Sequence, residues 1–266
     1  MINNPITKLI DLAEVAAREA GKSILSFYRK NLVIDIKSDG SPITMADQVS
    51  HQTIVESLSK SGFPIVSEEG DDLKLDAIRY WLVDPLDGTK DFIAANEEFT
   101  VNIGLIEKGR PVLGVLYAPA LDELYAGIAG DRAWQELRGV RTLCGKSPKS
   151  LQLRMAKSRF HDHPDAEAFA LANRVNIQIP IGSALKYGRL AMGEVDVYPR
   201  LVGTSEWDTA AGQAVLEAAG GSILDWHTGK PLHYGKPRRR NGRFIAFRGP
   251  YEKNDFEYQG YEAGLL

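Results

Sequence analysis

An apolar run, Tyr80-Trp81-Leu82-Val83, leads straight into Asp84-Pro85-Leu86-Asp87-Gly88-Thr89. No other segment restricts the fold as much. A carboxylate at the end of a buried strand is costly unless water, a cation or a metal ion meets it. Pro85 fixes its own φ and donates no hydrogen bond, and Gly88 permits a turn that a Cβ resists. The segment predicts a strand over Tyr80–Val83 that opens into a loop aiming two carboxylates and one carbonyl at a common point. Oxygen donors of that kind suit Mg²⁺ or Mn²⁺ and not zinc.

Other acidic positions fall at element ends. Asp47 opens a helix after Ile43-Thr44, Glu68-Glu69 follows the short strand Ile65-Val66, and Asp208 opens an Ala-rich helix. A plain alternative stands beside the metal reading. Asp208 is a fair N-cap, Asp87-Gly88 an ordinary turn pair, and Glu68-Glu69 a solvated pair. Spacing alone leaves both readings open.

The rest of the chain supplies a scaffold. Leu9, Leu12, Ala13, Ala16, Ala20, Ile24 and Phe27 recur at helical spacing and predict a helix over Ile6–Arg29. A strand at Val33–Lys37, a turn at Ser38–Pro42 and a helix at Met45–Lys60 follow. Thr100–Glu107 and Val112–Ala118 read as a hairpin across Lys108-Gly109-Arg110, continued by Glu123–Ile128 and Ala133–Leu137. After Ser147-Pro148 strands (Leu153–Ala156, Val175–Ile179, Val195–Tyr198, Ile223-Leu224, Phe244–Phe247) alternate with helices (Asp165–Arg174, Ala184–Met192, Thr209–Ala219). Gly220-Gly221 stops the last helix. The expectation is an α/β (α+β) layered sandwich with mixed, largely antiparallel sheets. An α+β subdomain over 1–147 carries most of the acidic positions, and an α/β subdomain over 148–266 carries Asp208.

Composition serves mainly to exclude. With 44% hydrophobic residues a sizeable core is available. A net charge of -3 argues against binding a nucleic-acid polymer; a small anionic substrate needs only local cations or metal. The single cysteine, Cys144, rules out an internal disulfide and a zinc cluster, and reads as a buried small hydrophobe. Met1–Glu14 does not read as a signal peptide, and no stretch is apolar for long enough to span a membrane. A cytoplasmic location is expected, with peripheral association at the inner membrane left open. Lys236–Arg240 reads as a solvated loop.

The acidic segments also carry a family signature. Asp84-Pro85-Leu86-Asp87-Gly88-Thr89-Lys90-Asp91-Phe92 resembles the first motif of the inositol monophosphatase superfamily. Glu206-Trp207-Asp208-Thr209-Ala210-Ala211-Gly212, followed by Glu217-Ala218-Ala219-Gly220-Gly221, resembles the second. Ser67-Glu68-Glu69 and Thr44-Met45-Ala46-Asp47 are similar to its upstream elements. Within the superfamily the 3′(2′),5′-bisphosphate nucleotidase (CysQ-type) branch is the closer match, through Trp81-Leu82-Val83, Glu98–Ile103, Gly182–Tyr187, Val197-Tyr198-Pro199-Arg200 and Gly229–Tyr234. Ser158-Arg159-Phe160-His161 departs from that branch, which often carries Ser where Phe160 stands.

The resemblance implies an inositol monophosphatase-like fold and a Mg²⁺-dependent phosphate monoesterase. Glu68, Asp84, Asp87, Asp208 and the Leu86 carbonyl would hold two or three Mg²⁺ ions, with Mn²⁺ as a substitute. Asp47 and Thr89 would orient and deprotonate the attacking water. Substrate would meet Glu68, Asp87, Gly88, Thr89, Ser183, Lys186, Arg200 and Asp208, with His161 a further candidate. The implied reaction converts 3′-phosphoadenosine 5′-phosphate (PAP), a product of sulfate assimilation, into AMP and phosphate. Inositol monophosphate or another sugar phosphate is the alternative substrate. A catalytically silent metal- or ligand-binding protein is the remote one. A homodimer is compatible with the resemblance.

Overall fold

The computed structural model describes residues 5–30, 33–37, 40, 42–71, 77–160 and 164–257. Helix α1 (Pro5–Leu25) is followed by β1 (Ile34–Ile36), β2 (Pro42–Thr44), α2 (Met45–Leu58), β3 (Ile65–Ser67), β4 (Arg79–Asp87) and the short α3 (Thr89–Ile93). A meander comes next: β5 (Thr100–Glu107), β6 (Arg110–Ala118), β7 (Glu123–Ile128), β8 (Ala133–Leu137) and β9 (Val140–Cys144). The second half holds β10 (Arg154–Ser158), α4 (Pro164–Ala172), β11 (Ile177–Ile181), α5 (Leu185–Ala191) and β12 (Val197–Arg200). It ends with β13 (Thr204–Ser205), α6 (Trp207–Ala218), β14 (Ser222–Asp225), β15 (Arg240–Asn241) and β16 (Phe244–Phe247).

Strands β3 to β9 form a seven-stranded sheet in chain order. It is antiparallel except where β3 runs parallel to β4. A second, five-stranded sheet has the order β11-β10-β12-β16-β14 and is mixed. Strand alternation decides which residues meet which layer. Trp81 and Val83 of β4, with Val101, Ile103 and Leu105 of β5, join a core with the buried stripe Ile10, Ala13, Ala17, Ala20 and Ile24 of α1. Tyr80 and Leu82 face the other way, into a core shared with Ala210, Ala211 and Val215 of α6 and with Tyr198 and Phe244 of the second sheet. A third core, with Phe169, Val197 and Phe247, lies on the far side of the second sheet. The layers thus run helix, sheet, helix, sheet, helix. Asp84, two residues beyond Leu82, falls on the α6 face, and Asn102 of β5 lies directly opposite it.

A row of glycines sets the spacing of that face. Gly104, Gly114 and Gly127 stand side by side on β5, β6 and β7. A Cβ on Gly114 would come within 2.2 Å of the Ala211 carbonyl oxygen, and one on Gly127 within 2.8 Å of Val215 Cα. Helix α6 therefore lies with its backbone almost against the strands, which brings its first turn to the end of β4.

Several expectations are corrected. β4 does not stop at Val83: it continues to Asp87, with a register shift against β5 between Asp84 and Asp87, so a bulge and not an open loop re-aims the motif. Helix α6 begins at Trp207 with Glu206 as its cap residue, which puts Asp208 inside the first turn. The strand expected at Val175–Ile179 lies at Ile177–Ile181. Pro42, expected in a turn, begins β2 and pairs with Ile36, while Ser38, Asp39 and Ser41 fall outside the described residues. Cys144 is only half-buried, its Sγ 3.4 Å from Met192 Sδ. Burial pushes its thiol up to about 12, so the thiolate a nucleophile needs is scarce at neutral pH. Among the described residues no helix is long and apolar enough to cross a membrane.

Candidate active site

A cavity of about 350 Å³ opens where β4, the start of α6 and the segment before α5 meet. One wall is acidic. Oxygens of Glu68, Asp84 and Asp208 lie within 4.8 Å of one another, and Asp87 and Leu86 line the same cavity. Local structure aims each group. Asp84 Oδ1 accepts the Leu86 N–H at 3.1 Å, within the stretch where the register against β5 shifts. Asp87 Oδ2 accepts from Asn102 Nδ2 at 3.2 Å. Asp208 Oδ2 accepts the Ser205 N–H at 2.8 Å. Ser50 of α2 donates to the Pro85 carbonyl at 2.7 Å and ties that helix to the motif.

Asp84, Asp87 and Asp208 resist ionisation. Burial raises Asp84 well above the usual carboxylate range, and the charges of Glu68, Asp87 and Asp208 push it further. Burial, then Asp87 and Glu68, push Asp208 up to about 8. Burial also raises Asp87, against the opposing pull of Lys186. Lys37, whose ammonium lies 2.8 Å from Glu68 Oε1 and also pairs with Glu69, offsets part of the charge. A crowd of acids with only oxygen donors fits a hard divalent cation, which would offset the burial and repulsion that raise Asp84, Asp87 and Asp208.

That arrangement has a measurable consequence. At pH 7 a carboxyl with a pKa near 8 holds its proton, and cation binding must expel it. Titrating Mg²⁺ into the metal-free protein at pH 7, in buffers of different ionisation enthalpy, should show net proton release that shrinks as the pH rises past about 8. Binding at pH 7 with no proton released would contradict this account of the acidic wall.

Asp47 and Thr89 sit beside this wall. Thr44 and Asp47 form a capping box at the start of α2: Asp47 Oδ2 accepts from the Thr44 N–H and from Thr44 Oγ1, both at 2.8 Å. Its other oxygen accepts from Thr89 Oγ1 at 3.3 Å, and that hydroxyl also lies 3.3 Å from the Leu86 carbonyl. Gly88, at φ 86°, makes the turn that starts α3 at Thr89.

The opposite wall is basic. Lys186 and Arg200, expected on the cavity by resemblance, both line it, as does Ser183. Lys186 is buried and not on a solvated helix face. Its Nζ donates to the carbonyls of Ile181 at 3.0 Å and Ser183 at 2.6 Å. Burial lowers it to about 8, although Asp87 opposes the fall. Arg200 carries a buried Nε with no hydrogen-bond partner among the described residues. Phe160 stands at the rim; His161 falls outside the described residues.

The sequence reading missed three features. Lys37 was not connected with the acids 31 residues away. Glu206 is fully buried and takes the N–H groups of Gly235 and Lys236 and the Lys236 ammonium. Lys236–Arg240 is accordingly not a plain solvated loop: Lys236 pairs with Glu206, Arg239 is buried, and Arg240 lines the cavity. The charge run was visible, but its buried partner lies at the other end of a 30-residue separation.

The model of the "Inositol monophosphatase family" matches residues 6–253. The 3′(2′),5′-bisphosphate nucleotidase CysQ of Salmonella typhimurium is 43% identical over 231 residues, 82% of this chain and 90% of its own. That of Escherichia coli K12 is 41% identical over 239 residues, 85% of this chain and 94% of its own. The crystal structure of CysQ from Bacteroides thetaiotaomicron, a bacterial member of the inositol monophosphatase family, superposes with a TM-score of 0.81 at 35% identity, covering 91% of this chain and 97% of that one.

Proposed function

This chain belongs to the inositol monophosphatase family, and from that premise we propose that it removes the 3′-phosphate of PAP, releasing AMP and phosphate. It is a phosphatase enzyme. One observation carries the choice of substrate: the cavity has an acidic wall and a basic wall. A single phosphate needs only the first. A bisphosphate uses both, its second phosphate meeting Lys186 and Arg200 through charge-assisted hydrogen bonds.

Glu68, Asp84, Asp87, Asp208 and the Leu86 carbonyl would hold Mg²⁺, which supplies positive charge at the scissile phosphate and makes a neighbouring water more acidic. The chain's own residues do the rest. Asp47 anchors Thr89 Oγ1 at 3.3 Å, so the Thr89 hydroxyl accepts the water's proton while passing its own to Asp47. Burial raises the Asp47 carboxyl above its usual range, against the Thr44 hydrogen bonds, which suits it to receive that proton. The water oxygen bonds to phosphorus as the P–O3′ bond breaks with its electron pair on O3′; O3′ takes a proton from solvent water to become the ribose hydroxyl, and Asp47 returns its proton to solvent. The hydrogen bonds from Thr44 also fix the position of the base, because Thr44 is the N-cap of α2 and Asp47 lies in that helix's first turn.

The direct test compares phosphate release from PAP and from inositol 1-phosphate with Mg²⁺ present. We expect kcat/KM for PAP to be greater by about 10-fold or more, the value of one charge-assisted contact to the second phosphate. Much faster turnover of inositol 1-phosphate would sink the nucleotidase reading and favour the sugar-phosphate one. Hydrolysis of neither would leave a silent binding protein.

A further inference from the structure

Strands β13 and β15 form a two-stranded antiparallel ribbon in which Ser205 faces Arg240 and Thr204 faces Asn241. The ribbon is fixed on both sides of Arg240. On one side the Arg239 carbonyl accepts the Glu206 N–H at 2.8 Å. On the other, Asn241 Nδ2 donates to the Ser205 carbonyl at 3.0 Å and to Thr209 Oγ1 at 2.9 Å. Glu206, Arg239 and Asn241 are all buried. Arg240 alone of the run 239–241 is exposed, and it lines the cavity.

A surface arginine is ordinarily a solvated charge. This one differs in placement. It rises from a backbone locked to the first turn of α6, the turn that carries Asp208, and Nη1 donates to Ser205 Oγ at 3.2 Å. That is one of five guanidinium donors. The other two cations named on the basic wall sit deeper in it. Lys186 Nζ is engaged by two carbonyls, and Arg200 is set into the wall with a buried Nε that has no partner among the described residues. A phosphate dianion arriving at the cavity mouth would find in Arg240 a planar fork with donors to spare, carried on a backbone fixed to the first turn of α6.

We propose that Arg240 is a specificity-determining residue that grips the non-scissile phosphate of a nucleotide bisphosphate at the mouth of the cavity. The proposal rests on the nucleotidase reading above. Its test measures kcat/KM for PAP and for adenosine 3′-monophosphate, which lacks the second phosphate, on wild type, Arg240→Ala and Arg240→Lys. The ratio of the two values is the readout. Arg240→Ala should lower the ratio by about 10- to 100-fold, mainly through KM for PAP, as expected for loss of a charge-assisted contact. Arg240→Lys should fall between, keeping the charge without the fork. An Arg240→Ala ratio within about twofold of wild type overturns the proposal, as does an equal loss on both substrates, which would mark a general effect on the ribbon. A wild-type enzyme that prefers inositol 1-phosphate to PAP defeats the nucleotidase reading itself, and this is seen before any variant is made.

Discussion

Asp84→Asn should lower kcat on PAP by at least about 100-fold, the upper end of what even an outer-shell partner of a metal site costs, while leaving the protein folded. The amide is nearly the same shape, and its oxygen can still accept the Leu86 N–H. What disappears is the capacity to become a negative charge, at the place where burial and three neighbouring carboxylates already oppose ionisation. The metal-free variant should therefore melt at or above the wild-type temperature. The two effects have opposite signs, which separates loss of chemistry from loss of fold. Adding Mg²⁺ should raise the Tm of wild type by mass action and that of the variant far less. Substantial hydrolysis by Asp84→Asn would end the case for a metal centre at this wall.

Gly114→Ala should produce the largest loss of stability. A methyl group there would sit 2.2 Å from the Ala211 carbonyl oxygen and 2.8 Å from Ala211 Cα. These are backbone atoms of a buried helix, so no side chain can swing aside. Overpacking of this kind costs about 3 kcal/mol or somewhat more, equivalent to a fall in Tm of roughly 6–12 °C for a chain of this size. Mg²⁺ should also bind more weakly, since displacing α6 moves Asp208 away from Asp84. Gly145→Ala, where a new Cβ meets nothing within 4 Å, is the matched control. A Gly114→Ala protein with wild-type melting would mean that α6 can shift without penalty.

Much of the site could be read from local sequence because its logic is local. The alternation of Trp81-Leu82-Val83 fixes the face on which Asp84 emerges, and the capping box at Thr44 fixes Asp47. Both follow from residues at most three positions apart in the chain. Short paired strands could not be read in the same way. β2, β9, β13 and β15 span two to five residues and exist only because a partner strand lies alongside. The bulge after Asp84 was hidden for a similar reason: Pro85 suggests a break, but β5 supplies the ladder that resumes at Thr100. Burial was hidden too. Lys186 looks solvated until Ile181 and Ser183 turn their carbonyls toward it, and the run at Lys236 looks like a charged loop until Glu206 is seen beneath it.

The middle core has a consequence for how the molecule comes apart. Tyr80, Leu82, Leu116 and Tyr125 of the first sheet and Tyr198, Phe244 and Ala246 of the second press on the same buried helices. A fragment ending near residue 147 would retain Glu68, Asp84 and Asp87 yet bare an apolar sheet face with nothing to cover it, and such a face aggregates. The second half would lose the same shared core. In denaturant, the loss of catalysis, of helical signal and of tyrosine burial should coincide in one transition, as for a single cooperative unit. Inactivation by heat would then be an event of the whole molecule, and any change that stabilises the outermost helix should lengthen the working life of a centre it never touches.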